Sequence, residues 1–64
     1  MNKQKFHGLF SWYGKQFEYY GWYSSKDQAF REMTRKISAL VQQTPFVVRQ
    51  YFGGKVDNYT IRKL

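Results

Sequence analysis

The chain has 64 residues, with 11 Lys and Arg against 4 Asp and Glu, a net charge of +7, no Cys and 14 aromatic side chains. A chain of this length offers one small domain and little material for a deep catalytic pocket, and the lack of Cys excludes disulfides and thiolate metal sites. We therefore expect a single domain over residues 1–64 that binds a partner, is not an enzyme, and uses no metal, cofactor or small-molecule substrate.

The amino-terminal segment Met1–Lys5 is polar and basic, and no apolar run follows it. The sequence therefore predicts neither a signal peptide nor a membrane span, and it favours a cytoplasmic location. The high positive charge attracts anions, which favours a nucleic acid, an acidic protein surface or an anionic membrane, and charge alone does not choose among them. The expected partner is a nucleic acid or an acidic protein, with no membrane.

Residues 5–23 contain nine of the 14 aromatic side chains and the Gly14–Lys15 step. A two-residue type II′ turn at that step predicts a hairpin. One face of the hairpin is then apolar and faces the core, and its expected cross-strand pairs are Phe6 with Tyr23, Gly8 with Gly21, Phe10 with Tyr19 and Trp12 with Phe17. The paired glycines would leave a notch for a helix. The other face is mixed, with the expected pairs His7 with Trp22, Leu9 with Tyr20, Ser11 with Glu18 and Tyr13 with Gln16.

A capping box predicts the start of a helix, because the Ser25 hydroxyl can accept from the backbone N–H of Gln28 while the Gln28 side chain reaches back. Apolar side chains at three- and four-residue steps form one stripe of this helix, made of Phe30, Met33, Ile37, Leu40 and Val41. The opposite side carries Arg31, Arg35, Ser38 and Gln42. Thr44–Pro45 is expected to end the helix, because proline cannot continue its hydrogen-bond ladder.

The last third of the sequence predicts two more strands. Phe46–Phe52 and Tyr59–Leu64 alternate in polarity, and the stretch Gly53–Asn58 is typical of a turn or loop. The predicted fold is α+β, a small antiparallel or mixed four-stranded sheet in the order ββαββ with one helix packed on one face. The strands on either side of the helix are expected to run parallel, with the first strand between them.

One helix covers only one face of a small sheet, so the other face meets water, a second copy or a ligand. We expect that face to carry binding residues from the hairpin and from the later strands, namely His7, Tyr13, Tyr20, Trp22, Arg49, Tyr51 and Arg62. Aromatic rings beside basic groups on a sheet can stack on unpaired bases and neutralise phosphates. The sequence therefore favours single-stranded nucleic acid as the partner.

Further basic residues are candidates for phosphate contacts, namely Lys3, Lys5, Lys15, Arg31 and Arg35. Ordinary structural roles compete with these assignments. Large rings also stabilise small cores, and on the helix Asp27 with Arg31 and Glu32 with Lys36 have the spacing of common surface ion pairs.

The stretch Gly21–Ala29 resembles the strand-to-helix junction of the amino-terminal DNA-binding domains of phage integrases, in which a Gly–aromatic pair precedes a capped helix. The resemblance implies DNA binding through the sheet. Those domains place three strands before the helix, whereas this sequence predicts two before it and two after it.

An alternative function is a protein–protein interaction module, such as an inhibitor of the phage or mobile-element type or a small subunit. The same face would then dock on an acidic partner or on a second copy of the chain. Aromatic residues and arginine are frequent anchors in such interfaces.

Overall fold

A computed structural model describes residues 2–54 and 58–64. The chain forms strands β1 (Gln4–Trp12) and β2 (Lys15–Tyr23), helices α1 (Lys26–Val41) and α2 (Pro45–Gly53), and strand β3 (Tyr59–Lys63). The predicted α+β class is confirmed. The predicted four strands and single helix are wrong, because the described residues form a three-stranded antiparallel sheet and two helices.

Residues 45–53 form helix α2, where the sequence analysis predicts a strand. Thr44 is the N-cap of this helix, and its hydroxyl accepts from the backbone N–H of Val47 at 3.2 Å. Pro45 occupies the first helical turn, where its missing N–H costs nothing and its fixed φ suits a helix. The Thr44–Pro45 pair therefore begins a second helix instead of ending the first.

Helix α1 begins as predicted and ends before the proline. The Ser25 hydroxyl accepts from the Gln28 N–H at 3.1 Å, while the Gln28 side-chain oxygen accepts from the N–H of Ser24, one residue before the cap, at 2.7 Å. At the other end Gln42 adopts the left-handed conformation, with φ of 57°. This residue, three positions before Pro45, terminates α1.

The buried stripe of α1 differs from the predicted one. Leu40 is 65% exposed, whereas Ser38, predicted on the outer side, is buried together with Thr34. Helix α1 contacts both the sheet and helix α2. More of its circumference is therefore buried than the sheet alone would bury. The two buried hydroxyls donate to carbonyls of their own helix, Thr34 to Phe30 at 2.7 Å and Ser38 to Arg35 at 2.6 Å.

The first two strands form the predicted hairpin, but its turn lies one residue earlier than predicted. Tyr13 and Gly14 occupy the turn with φ of 49° and 83°, and positive φ at both positions is the pattern of a type I′ turn. Trp12 therefore pairs with Lys15 and not with Phe17. The pairing shifts by two residues, an even number, so each strand side chain stays on its predicted face.

Strand β1 lies in the middle of the sheet, whose order is β2-β1-β3. Both neighbours run antiparallel to β1, so β2 and β3 run parallel to each other on either side of it. The first strand is thus central, as predicted, but its second neighbour is the last strand and not residues 46–52. Of the predicted loop over residues 53–58, residues 55–57 lie outside the described residues.

Both helices and one face of the sheet enclose the hydrophobic core. Its buried members are Phe6 and Phe10 of β1, Ile61 of β3, Ala29, Met33 and Ile37 of α1, and Val48 and Phe52 of α2. We call this side of the sheet the covered face. In residues 2–54 and 58–64, neither helix combines the length and the apolar character needed to cross a membrane.

The predicted notch exists at Gly8, although the two glycines are not opposed. Gly8 pairs with Tyr19 and Gly21 pairs with Phe6. A Cβ atom at Gly8 would overlap the side chain of Met33. The missing side chain therefore lets α1 approach β1 closely.

Candidate functional site

The other side of the sheet, here called the open face, carries the alternate residues of the same three strands. Cross-strand partners share a face, so the register assigns its members directly: Lys5, His7, Leu9 and Ser11 of β1, Gln16, Glu18, Tyr20 and Trp22 of β2, and Thr60 and Arg62 of β3. Helices α1 and α2 pack against the covered face, and the open face lies on the far side of the sheet from them.

Five open-face residues form two adjacent rows, and we call them the aromatic–basic patch: Lys5, His7, Tyr20, Trp22 and Arg62. His7 pairs with Tyr20 on one side and with Arg62 on the other, and Lys5 pairs with Trp22. The Lys5 ammonium lies 5.6 Å from the centre of the Tyr20 ring. The sequence analysis names all five residues, and the sheet brings them together.

The two large rings of the patch are accessible. Trp22 is 61% exposed and Tyr20 is 55% exposed, so neither ring is part of the core. The alternative that they pack inside for stability is therefore wrong for these two residues. Side chains of this size on an uncovered sheet surface offer flat apolar area to a partner.

His7 is held in place between two side chains of β2. Its ring stacks on Tyr20 with centroids 4.5 Å apart, and its Nε2 atom lies 2.6 Å from a carboxylate oxygen of Glu18. The contact to His7 occupies part of the hydrogen-bonding capacity of Glu18, the acidic group of the open face. The stack fixes the plane of the Tyr20 ring.

Tyr13 and Tyr51, predicted on the open face, lie elsewhere. Tyr13 belongs to the β1–β2 turn, and its ring stacks on Tyr51 of α2 with centroids 5.0 Å apart. The Tyr51 hydroxyl accepts from Asn58 Nδ2 at 2.9 Å, which ties α2 to the start of β3. Tyr51 is thus a structural contact, and it leaves the predicted site because residues 45–53 are helical.

Arg49 also leaves the open face, since it lies on α2. It lines a groove with Arg31 and Arg35 of α1, on the helical side of the molecule. Asp27 lies 3.3 Å from Arg31 and Glu32 lies 3.9 Å from Arg35. The expected Asp27–Arg31 pair is present, and Glu32 approaches Arg35 where the sequence analysis expects Lys36. Phosphate binding by these arginines stays a prediction, and it is spatially separate from the patch.

The remaining predicted phosphate contacts lie at two ends of the sheet. Lys3 is exposed in the segment that precedes β1, close in sequence to the patch residue Lys5. Lys15 begins β2 next to the turn, and its ammonium lies 5.8 Å from the Phe17 ring centre, on the covered side. Lys3 is therefore near the patch and Lys15 is far from it.

Two features of the hairpin are absent from the predicted site. Glu18, which the sequence already places on the open face, contacts His7 there, because the corrected register pairs Glu18 with Leu9 and so brings it next to His7. On the covered face the Tyr19 hydroxyl is buried and has no hydrogen-bond partner among the described residues. Burial raises the pKa of Tyr19 above its usual value of 10.0.

No protein family, curated protein or solved structure matches this chain at the significance required. Among the residues that the structure describes, no three His, Cys, Asp or Glu side chains are grouped so that they could hold a metal ion. The geometry of the open face is therefore the basis on which a function can be proposed.

Proposed function

We propose that the chain binds single-stranded nucleic acid through the aromatic–basic patch of the open face. The observation that carries the proposal is the exposure of Trp22 and Tyr20 beside Lys5 and Arg62 on an uncovered sheet. Each base presents a flat ring that can stack on an aromatic side chain, and each nucleotide carries one negative charge.

The spacing of the rings favours an unpaired strand. Trp22 and Tyr20 are two residues apart on one strand, which corresponds to about 6.6 Å at the usual rise of a β-strand. Bases along one strand of a duplex are about 3.4 Å apart, and their faces are covered by their neighbours. Two consecutive bases can occupy both rings only if the strand is extended and unstacked, as in single-stranded recognition by sheets.

The basic members of the patch lie beside the rings. Lys5 is opposite Trp22 and Arg62 is opposite His7, which lies between Arg62 and Tyr20. The backbone of a strand stacked on Trp22 and Tyr20 would pass within reach of both cations. Glu18, whose carboxylate lies 2.6 Å from His7, opposes this binding electrostatically.

A titration with a single-stranded oligonucleotide at low salt tests the stacking. The variant Trp22→Ala with Tyr20→Ala should bind at least about tenfold more weakly, because each base–ring stack contributes roughly 1–3 kcal/mol. Phe46→Ala is the matched control, since Phe46 is 62% exposed on α2, away from the open face. Equal affinity of the patch variant and the wild type, or an equal loss in the control, contradicts the proposal.

The salt dependence of the same titration tests the phosphate contacts. Replacing Lys5 and Arg62 by Gln should reduce the slope of log affinity against log salt by about 0.7 for each phosphate that the variant no longer neutralises. Arg31→Gln with Arg35→Gln is the control on the helical side, and its slope should equal that of the wild type. If the slope falls in the Arg31→Gln, Arg35→Gln variant and not in the Lys5, Arg62 variant, the phosphates bind in the groove lined by the arginines.

A protein partner is the second candidate, favoured by one observation. Leu9 is exposed on the same face as Trp22 and Tyr20, and an aliphatic group adds to a protein interface without stacking on bases. Lys5 and Arg62 at the margin would then suit an acidic surface. Two results together would favour this function. The chain would capture an acidic protein only when Trp22 is present, and it would not bind oligonucleotides at low salt.

A further inference from the structure

The outer edge of β2 has a row of backbone groups available for another strand. Ser11 N–H donates to the Asn58 carbonyl and Leu64 N–H donates to the Lys5 carbonyl, so the odd-numbered residues of β1 point their backbone groups toward β3. The even-numbered residues of β1 therefore bond to β2, and they pair with its odd-numbered residues. The remaining residues of β2 point their backbone N–H and C=O groups outward, and these are Gln16, Glu18, Tyr20 and Trp22.

Within the residues that the structure describes, this edge has no proline, no bulge and no strand beyond it, and its charged side chains are Lys15 and Glu18. Strand β2 has nine residues, no proline and no interruption in its pairing with β1, and β1 is its only neighbour in the described sheet. Natural sheets usually block such an edge with a bulge, a proline or a covering segment. An edge left open over this length is a template for strand addition.

Both ends of the edge are closed. Tyr13 and Gly14 form the turn with positive φ, which ends the strand on one side. On the other side the next outward N–H belongs to Ser24, and it already donates to the Gln28 side chain at 2.7 Å. The free edge thus has four residues with outward backbone groups, and its length is set by the turn and by the helix cap.

We propose that β2 pairs antiparallel with β2 of a second copy of this chain, about a two-fold axis at Tyr19, to form a six-stranded sheet. In this register Glu18 lies opposite Tyr20 of the second copy, and Gln16 lies opposite Trp22. All four outward residues of both edges then exchange hydrogen bonds. The interface is isologous, so the same edge is satisfied on both chains.

Side-chain fit selects this register over its neighbours. On the covered side Phe17 lies opposite Gly21 of the second copy, and Tyr19 lies opposite Tyr19 of the second copy at the axis, where two aromatic rings form a favourable cross-strand pair. A shift toward the turn by one hydrogen-bonded pair would place Glu18 opposite Glu18, and like charges directly opposed are unfavourable. The opposite shift would require the Ser24 N–H, which is already bonded within the helix cap.

The net charge of +7 on each chain gives the association a distinctive salt dependence. The two copies repel each other, and salt screens that repulsion, so the dimer should become tighter as salt is added. Binding to nucleic acid should weaken under the same change. The inference does not depend on the proposed function, and the two can fail separately.

The test measures self-association of the purified chain without nucleic acid. Sedimentation and amide hydrogen exchange monitor it at high salt, over chain concentrations from micromolar to millimolar. We expect a dimer, with exchange at Gln16, Glu18, Tyr20 and Trp22 slowing as concentration rises. The amides of Phe17, Tyr19 and Gly21, already bonded to β1, should be protected throughout. A chain that stays monomeric, or a dimer in which the four outward amides exchange at an unchanged rate, overturns the proposal.

A single substitution isolates the backbone contribution. Glu18→Pro removes an outward N–H at an edge position, where proline is tolerated in sheets, and Glu18→Ala is the matched control because it equally removes the contact to His7. Each chain of a Glu18→Pro dimer lacks one donor, so the interface has two fewer hydrogen bonds than the interface of the Glu18→Ala dimer. The proline variant should therefore dimerise at least about tenfold more weakly than the alanine variant. If the two variants dimerise equally, the β2 edge is not the interface, and if the proline variant does not fold, wild-type exchange decides.

Discussion

The two faces of the sheet are built from alternate residues of the same three strands, yet they differ sharply in what surrounds their rings. On the covered face Phe10 is 1% exposed, and it contacts Phe52 and Tyr59 at centroid distances of 5.1 and 5.6 Å. On the open face Trp22 and Tyr20 are more than half exposed. The comparison shows that position on the pleat, and not residue type, separates the structural rings from the available ones.

Removing one ring from each face should affect stability very differently. Phe10→Ala should lower the free energy of unfolding by about 3–5 kcal/mol, because it leaves a cavity among packed rings. Trp22→Ala should change it by less than about 0.5 kcal/mol, as is usual for exposed positions. Urea unfolding of both variants measures the difference. A comparable loss in the two would mean that Trp22 is part of the packed structure.

A second test concerns the close approach of α1 to the covered face. Gly8→Ala should destabilise the protein by about 1–3 kcal/mol, because the added methyl group overlaps Met33 and overpacks the core. Gly53→Ala is the control, since nothing lies within 4 Å of its added Cβ and alanine favours the helix. Thermal unfolding checks both, and an unchanged midpoint for Gly8→Ala would show that the helix does not need the notch.

The smallest expected effect concerns a weak point of the covered face, the Tyr19 hydroxyl. Tyr19→Phe removes a buried oxygen that has no partner among the described residues, so it should raise the free energy of unfolding by about 1 kcal/mol. Urea unfolding at neutral pH measures the gain. A loss of stability instead would show that the hydroxyl makes a favourable contact.

Tyr19 also predicts a pH dependence of stability. Burial raises its folded-state pKa above 10.0, so the unfolded chain releases its proton first as the pH increases. The stability from this group is complete below the unfolded pKa and is lost as the pH rises through the folded pKa. As the pH rises from the unfolded-state pKa to the folded-state pKa of Tyr19, the Tyr19→Phe variant should lose less free energy of unfolding than the wild type. Equal losses in the two proteins would show that Tyr19 is not the cause of the pH dependence.

The hairpin and its two faces could be predicted from the sequence because side chains alternate strictly in a strand. The turn lies one residue before its predicted position, since Gly14 fits either the first position of a type II′ turn or the second position of a type I′ turn. That error moves the pairing by two residues and leaves the faces intact. The exposure of Tyr20 and Trp22 was therefore predictable even though their cross-strand partners were not.

The sequence analysis does not predict helix α2, because it interprets Pro45 only as the end of α1. Thr44 followed by Pro45 is equally a helix start, and Val48, Tyr51 and Phe52 have helical spacing. In a segment this short, alternation and helical periodicity overlap. In the fold, the predicted third strand is a helix, and in the site, Arg49 and Tyr51 lie on the helical side and not on the open face.

The most direct test of the central claim is chemical-shift mapping of the chain during titration with a single-stranded oligonucleotide at low salt. We expect the perturbed residues to cluster on the open face, at Lys5, His7, Tyr20, Trp22 and Arg62, and the groove of Arg31, Arg35 and Arg49 to be unaffected. Perturbations confined to that groove, or none on the open face at saturation, would contradict the claim.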